Sequence, residues 1–75
     1  MEKIDIDGDV IRLGQLLKMA NVVENGGEAK VRIQGGEVLV NDEVDTRRGR
    51  QMREGDIVEI DGQQLEVHYT GKIPD

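Results

Sequence analysis

The stretch from Arg47 to Arg53 contains four arginines in seven residues and no acidic residue. A guanidinium group presents a planar fork of N–H donors that fits the oxygens of a phosphate, whereas lysine would keep a loop equally soluble. Because every basic residue of this run is arginine, the pattern favours recognition of an anion. The alternative is a solvated surface loop that binds nothing.

Charge is unevenly distributed along the chain. The formal net charge of −6 argues against a nucleic-acid partner, because phosphate binding depends on lysine and arginine. Eight of the ten basic residues nevertheless lie between residues 12 and 53, and both ends are acidic. We therefore predict a cationic surface formed by the arginine run with Lys18, Lys30 and Arg32, to which the acidic ends would confine an anionic ligand. For Lys18, a merely solubilising role is the alternative.

Other chemistries find little support in the sequence. The chain has no cysteine and a single histidine, His68, so a disulfide scaffold, a thiolate zinc site and a cysteine nucleophile are excluded. The carboxylates are scattered over predicted turns and strands, and no Ser-His-Asp set can form around His68. We expect no enzyme activity, no metal, no cofactor and no small-molecule substrate, and we expect His68 to be a surface residue.

The length of 75 residues limits the chain to one small domain. The N-terminus lacks the apolar segment of a signal peptide, and no stretch approaches the roughly 20 residues that span a bilayer. We expect one monomeric, cytoplasmic domain over residues 1–75, with a core at about 11–69 and a frayed tail at 70–75. Because Met1 leads directly into the predicted fold, a stand-alone domain is favoured over part of a larger enzyme.

Two short helices are predicted from the spacing of apolar and capping residues. Apolar residues with helical spacing are Leu13, Leu16, Leu17 and Ala20. They predict a first helix over 13–20. Asn25, followed three residues later by Glu28, predicts the start of a second helix, and Gly35-Gly36 predicts its end.

After the second helix the apolar pattern changes to a period of two. It predicts one hairpin over 38–44 that turns at Asn41-Asp42, and a second over 57–69 that turns at Asp61-Gly62. Residues 4–6 read as a short β segment leading into the domain. The predicted fold class is α+β, with two short helices packed on a small, mostly antiparallel sheet of short strands.

The order of these motifs resembles a known family. The matching residues are Arg12-Leu13, Leu16-Leu17, Gly27-x-Ala29-Lys30, Ile33, Gly36-x-Val38-x-Val40-Asn41 and Gly55-Asp56-x-Val58. Together they resemble the RNA-binding domain named after ribosomal small-subunit protein four, whose core is called the α-L motif. The chain looks similar to the short stand-alone bacterial YaaA-like and YbcJ-like members, which share Gly-Gly before Ala-Lys and Arg-Arg after the hairpin.

The resemblance implies that the second helix and the following loop lie against an RNA backbone. The residues to which it points are Gly27, Lys30, Asn41, Arg47, Arg48 and Arg50. Many relatives have Ser-Arg where this chain has Gly26-Gly27, so Lys30 or Arg32 must supply the missing positive charge. A second departure is Arg12, which stands where a helix-capping hydroxyl is expected.

The helix start at Gly26-Gly27 has a possible role of its own. Free backbone N–H groups with no side chain in front of them can seat a phosphate oxygen, although the glycines are equally compatible with a simple turn. The function predicted for the chain is non-catalytic binding of structured RNA, ribosomal RNA or its precursor being favoured. The alternative is a protein adaptor whose arginines meet an acidic partner.

Overall fold

The computed structural model describes residues 1–71 and contains two helices and a five-stranded sheet. In chain order the elements are β1 (Glu2–Ile6), α1 (Leu13–Met19), α2 (Gly26–Gln34), β2 (Leu39–Val40), β3 (Glu43–Val44), β4 (Ile57–Ile60) and β5 (Gln63–Tyr69). This confirms the α+β class with a mostly antiparallel sheet. The predicted frayed tail covers residues 70–75, of which 72–75 lie outside the described residues. Thr70, within the described part, is bonded to β1: its backbone N–H donates to the carbonyl oxygen of Ile6 at 2.8 Å.

β1 is an integral strand of the sheet, whereas the sequence suggested only a lead-in. It pairs in parallel with β5, with Ile4 opposite Val67, at one edge of a sheet ordered β1-β5-β4-β2-β3. Ile4 and Ile6 are buried, so the hydrophobic core begins before residue 11. The alternation of residues 4–6 is compatible with a strand, but so short a pattern does not identify a partner near the other end of the chain.

Both helices pack through one apolar face into the same hydrophobic core. The buried helix residues are Leu13, Leu16, Leu17, Ala29 and Ile33. They share one cluster with buried residues of the sheet, which include Val40, Val58, Ile60, Leu65 and Val67. Each buried valine, leucine or isoleucine contributes about 1.5–3 kcal/mol when it is removed from water. The sheet therefore fixes the position of the two helices and of the loop that joins β3 to β4.

The two helices begin with different caps. The backbone N–H of Arg12 donates to Oε1 of Gln15 at 3.0 Å, which is half of a capping box. At α2, Oδ1 of Asn25 accepts the N–H of Glu28 at 2.8 Å, as predicted, and Oε1 of Glu28 accepts the N–H of Glu24 at 2.7 Å. Neither helix within residues 1–71 is long and apolar enough to cross a membrane.

Both hairpin turns are built from residues with positive φ. The values are 52° at Asn41 and 71° at Asp42 in the first turn, and 53° at Asp61 and 77° at Gly62 in the second. Positive φ at both central positions is typical of a type I′ turn, whose twist matches that of the flanking strands. The predicted positions of both turns are confirmed.

The hydroxyl of Tyr69 joins segments that are far apart in the sequence. It donates to the carbonyl oxygen of Met52 at 2.6 Å and accepts the N–H of Ile11 at 3.2 Å. Glu54 accepts the backbone N–H of Tyr69 at 2.8 Å, and its other oxygen lies 2.9 Å from Nδ1 of His68. The two contacts lower the pKa of Glu54 below its usual value. His68 is thus a partly exposed residue beside a carboxylate.

Candidate nucleic-acid interface

The loop of residues 45–53, called the arginine loop below, is attached to the start of α1. The backbone N–H of Leu13 donates to the carbonyl oxygen of Arg50 at 2.8 Å, and that of Gly14 donates to Arg48 at 3.0 Å. The first N–H groups of a helix have no acceptor within the helix. The arginine loop supplies acceptors for two of them, which explains why α1 forms although Arg12, at the capping position, has no hydroxyl.

Gly14 allows the side chain of Arg48 to lie directly on α1. A Cβ atom at Gly14 would come within 2.8 Å of Cγ of Arg48, well inside the usual carbon–carbon contact of about 3.5–4.0 Å. The absence of a side chain at Gly14 therefore determines where the stem of Arg48 runs.

A groove lies between α1, the start of α2 and the arginine loop. It has a volume of about 300 Å³ and is lined by Arg12, Gly14, Gln15, Lys18, Gly26, Ala29, Arg48 and Gly49. We call it the helix groove. Arg12, Lys18 and Arg48 form no salt bridge within residues 1–71, and no acidic residue lines the groove. Within the described residues, no carboxylate is therefore paired with these three side chains.

Lys30 and the glycines of α2 flank this groove. Lys30 is exposed and lies one helical turn beyond Gly26, so both are on the same face of α2. The backbone N–H groups of Gly26 and Gly27 have no acceptor within the described part of the chain. Gly26 lines the groove, whereas Gly27 sits beside the cap, where a Cβ would come within 3.2 Å of Oδ1 of Asn25. A glycine at position 27 therefore also leaves room for the capping side chain of Asn25.

Arg47 and Arg50 share one carboxylate, that of Asp45. Nη2 of Arg47 lies 2.9 Å and Nε of Arg50 lies 3.3 Å from Oδ2 of Asp45. The hydrogen bonds from Arg47 hold the pKa of Asp45 below its usual range, and the same carboxylate raises the pKa of Arg47. Of the predicted quartet, only Arg48 and Arg53 are without a carboxylate partner among residues 1–71.

Arg32 is not available as the free cation that the sequence suggested. Its guanidinium bonds to Glu37 at 3.1 Å and to Asp61 in the turn between β4 and β5. These carboxylates raise the pKa of Arg32, and Arg32 lowers the pKa of Asp61. The sequence interpretation missed this pairing because Asp61 lies in a different hairpin, which only the folded sheet brings to the end of α2.

Asn41 has a structural role where an RNA contact was predicted. Its Nδ2 donates to Oδ1 of Asp56 at 3.0 Å, and its Oδ1 accepts the N–H of Ile57 at 2.9 Å. The other oxygen of Asp56 accepts the N–H of Arg53 at 2.8 Å. Asn41 and Asp56 therefore join the first hairpin to the start of β4, and both polar ends of the Asn41 side chain are occupied.

Three residues of this surface were not predicted as part of it. Arg12 was treated as part of the family resemblance and as a poor helix cap, and Gly14 and Asp45 were not singled out. A glycine in the middle of an apolar helical stripe is a signal of close packing. An aspartate two residues before Arg47 is a signal of a side-chain-to-backbone turn. Both signals are weak without the three-dimensional contacts that explain them.

Comparison with known proteins places the chain in a family. Residues 4–68 match the model of the S4 domain family, and the chain belongs to this family. The solution structure of YbcJ from Escherichia coli, described as having an α-L motif involved in RNA binding, superposes with a TM-score of 0.68. It is 29% identical and the match covers 91% of this chain and 87% of YbcJ. The suspected resemblance to the α-L domain is confirmed.

A second relative has a higher sequence identity. The probable ribosome maturation protein RlbA of Bacillus subtilis (strain 168) is 56% identical over 59 residues. These residues make up 79% of this chain and 83% of RlbA. The chain is therefore similar to RlbA over most of the length of both proteins.

Proposed function

We propose that this protein binds structured RNA without catalysing a reaction, and that the helix groove is the main contact surface. The observation that carries the proposal is that, within residues 1–71, Arg12, Lys18 and Arg48 have no carboxylate partner and no acidic residue lines the groove between them. Lys30 adds a further exposed cation along α2, and Arg47 and Arg50, which are paired with Asp45, lie on the adjoining arginine loop. The membership of the S4 domain family and the similarity to YbcJ support RNA as the anion.

The favoured target is ribosomal RNA or its precursor. Support comes from the similarity to a relative named a probable ribosome maturation protein. On this proposal the protein acts as a monomer in the cytoplasm. It needs neither a cofactor nor a small-molecule substrate.

The groove is suited to phosphates rather than to bases. Side-chain cations and the free N–H groups of Gly26 and Gly27 all recognise phosphate oxygens, which sets affinity and orientation without reading sequence. Tyr69 is the single aromatic residue of the chain, and its hydroxyl is engaged inside the protein. Modules that splay single strands depend on several aromatic platforms. We therefore propose that the protein reads the shape of folded RNA.

The test compares a charge-reversal variant of the groove with a charge reversal outside it and with the parent. Lys18→Glu/Arg48→Glu reverses two charges of the groove, whereas Lys3→Glu reverses an exposed charge on β1. Binding to a structured ribosomal RNA fragment is measured by filter retention at about 50 and 200 mM salt, where phosphate contacts make affinity strongly salt-dependent. We expect the groove variant to lose affinity by about a hundredfold and Lys3→Glu to lose little. Equal affinity of all three proteins at low salt would remove the proposal.

The adaptor hypothesis predicts a different outcome for the same molecule. A protein partner that co-purifies after ribonuclease treatment, and is lost in Arg47→Glu, would support it. Loss of the partner after ribonuclease supports RNA binding instead.

A further inference from the structure

A buried carboxylate, that of Asp45, lies in the arginine loop beside the groove that is proposed to bind RNA. Asp45 follows β3 directly, is only 9% exposed, and its backbone N–H donates to the carbonyl oxygen of Val38 at 3.1 Å. By charge alone, an acidic residue in this place weakens RNA binding. Its burial and its contacts suggest a different role.

Both oxygens of Asp45 are fully used within the arginine loop. Oδ1 accepts the backbone N–H of Arg47 at 2.9 Å and Nε of Arg47 at 3.1 Å. Oδ2 accepts Nη2 of Arg47 at 2.9 Å and lies 3.3 Å from Nε of Arg50. One carboxylate thus fixes a backbone turn and the direction of two guanidinium groups.

The two arginine side chains differ in their exposure to solvent. The side chain of Arg47 remains 71% exposed, so the edge of its guanidinium that faces away from Asp45 is open to a ligand. The side chain of Arg50 is only 22% exposed, and its Nη1 is buried without a hydrogen-bond partner within residues 1–71. Asp45 is therefore the charged partner that makes a half-buried Arg50 tolerable.

We propose that Asp45 is the positioning residue of the arginine loop: it holds the exposed guanidinium of Arg47 ready for a phosphate of the RNA and anchors the largely buried Arg50 within the loop. This inference rests on the proposed function. A free arginine side chain loses much rotational freedom when it binds, and a side chain that is already held in place loses less. Arg48 and Arg50 also carry the carbonyl oxygens that cap α1, so the position of the loop is linked to the helix groove.

The direction in which Asp45→Asn changes RNA affinity distinguishes this inference from simple charge repulsion. Asp45→Asn keeps the shape and the acceptor for the N–H of Arg47, but it removes the charge that holds the guanidinium groups. The matched control is Asp42→Asn, on the same hairpin. Asp42 is exposed, has a φ of 71° that asparagine tolerates, and makes no salt bridge within the described residues. Both variants raise the net charge by one.

We expect Asp45→Asn to bind the RNA fragment at least fivefold more weakly than the parent, with a shallower dependence on salt because fewer phosphates are contacted. Asp42→Asn should bind as tightly as the parent or up to about twofold more tightly. If Asp45→Asn binds as tightly as Asp42→Asn, Asp45 acts only through its charge and the inference is wrong. If the parent itself fails to bind RNA at low salt, the proposed function fails first and the inference falls with it.

A second pair of variants covers the case in which Asp45→Asn does not fold, as its melting temperature will show. Arg47→Lys keeps the charge but cannot form the forked contact with Asp45, whereas Arg53→Lys alters an exposed arginine that has no carboxylate partner. We expect Arg47→Lys to lose at least threefold in affinity and Arg53→Lys to stay within twofold of the parent. Equal affinity of the two lysine variants would overturn the positioning role.

Discussion

Replacing Gly14 by alanine should displace Arg48 without altering any charged group. The new Cβ would lie 2.8 Å from Cγ of Arg48, so one of the two atoms must move by about 0.7–1.2 Å to reach an ordinary contact. Because Cγ belongs to the stem of the side chain, the movement rotates the whole guanidinium away from its position over the helix groove. The variant therefore tests whether the position of Arg48, and not only its charge, matters.

The effect on stability follows from two opposing contributions. Alanine in place of glycine stabilises a helix by up to about 1 kcal/mol, and a side chain forced off its rotamer costs about 0.5–1.5 kcal/mol. In the parent background the two nearly cancel, so the melting temperature should change little. In an Arg48→Ala background the clash is absent, and Gly14→Ala should raise the melting temperature by several degrees, since 1 kcal/mol corresponds to about 4–8 °C in a domain of this size.

The effects of Gly14→Ala and Arg48→Ala on RNA affinity should be coupled in the same way. Arg48→Ala removes one phosphate contact and should lower affinity about tenfold, with a salt slope smaller by roughly 0.7–0.9. Gly14→Ala should lower affinity in the parent background and have no effect in the Arg48→Ala background, as measured by filter binding in a double-mutant cycle. Additive effects on both affinity and melting temperature would refute the reasoning, because Gly14 would then act independently of Arg48.

Two further predictions concern stability. Tyr69→Phe removes the hydroxyl that bonds to two backbone groups, so we expect a loss of about 1–3 kcal/mol and a melting temperature lower by at least about 4 °C, with unchanged RNA affinity; an unchanged melting temperature in calorimetry would contradict this. The carboxylates whose pKa lies below its usual value are Asp45, Glu54 and Asp61. Their stabilising contribution is complete above the unfolded-state pKa of about 4 and is lost as the pH falls through the lower folded-state values. Thermal melts should therefore show constant contributions from these groups between pH 7 and 5 and a decline below about pH 4, with a weaker decline in Asp61→Asn.

The sequence predicted the elements of this fold well and their long-range contacts poorly. Helix starts and hairpin turns depend on neighbouring residues, such as Asn25 with Glu28 or Asp61 with Gly62, so their patterns are local. The parallel pairing of β1 with β5 joins the two ends of the chain, and no local pattern encodes it. The sequence therefore predicted residues 4–6 as a lead-in.

The distinction between local patterns and long-range contacts applies to the candidate site as well. The arginine run draws attention to the loop that borders the helix groove, because a cluster of one residue type is visible in the sequence. Which arginines remain free is decided by carboxylates that the fold brings close. Asp61 reaches Arg32 from the turn between β4 and β5, and Asp45 pairs with both Arg47 and Arg50. Arg12 and Lys18 gain importance from their position on the groove rather than from any motif.

The negative net charge is a poor guide to what an RNA phosphate would meet on this surface. Many of the acidic residues accept hydrogen bonds inside the structure, as Asp56 does at the start of β4 and Glu28 does ahead of α2. Asp45 also accepts hydrogen bonds, within the arginine loop itself, and two guanidinium groups offset its charge. A phosphate within the helix groove lies close to unpaired cations, whereas exposed carboxylates farther away are screened beyond a Debye length of about 8–10 Å at physiological salt. Local pairing, and not the sum over the chain, therefore determines whether so acidic a protein can bind RNA.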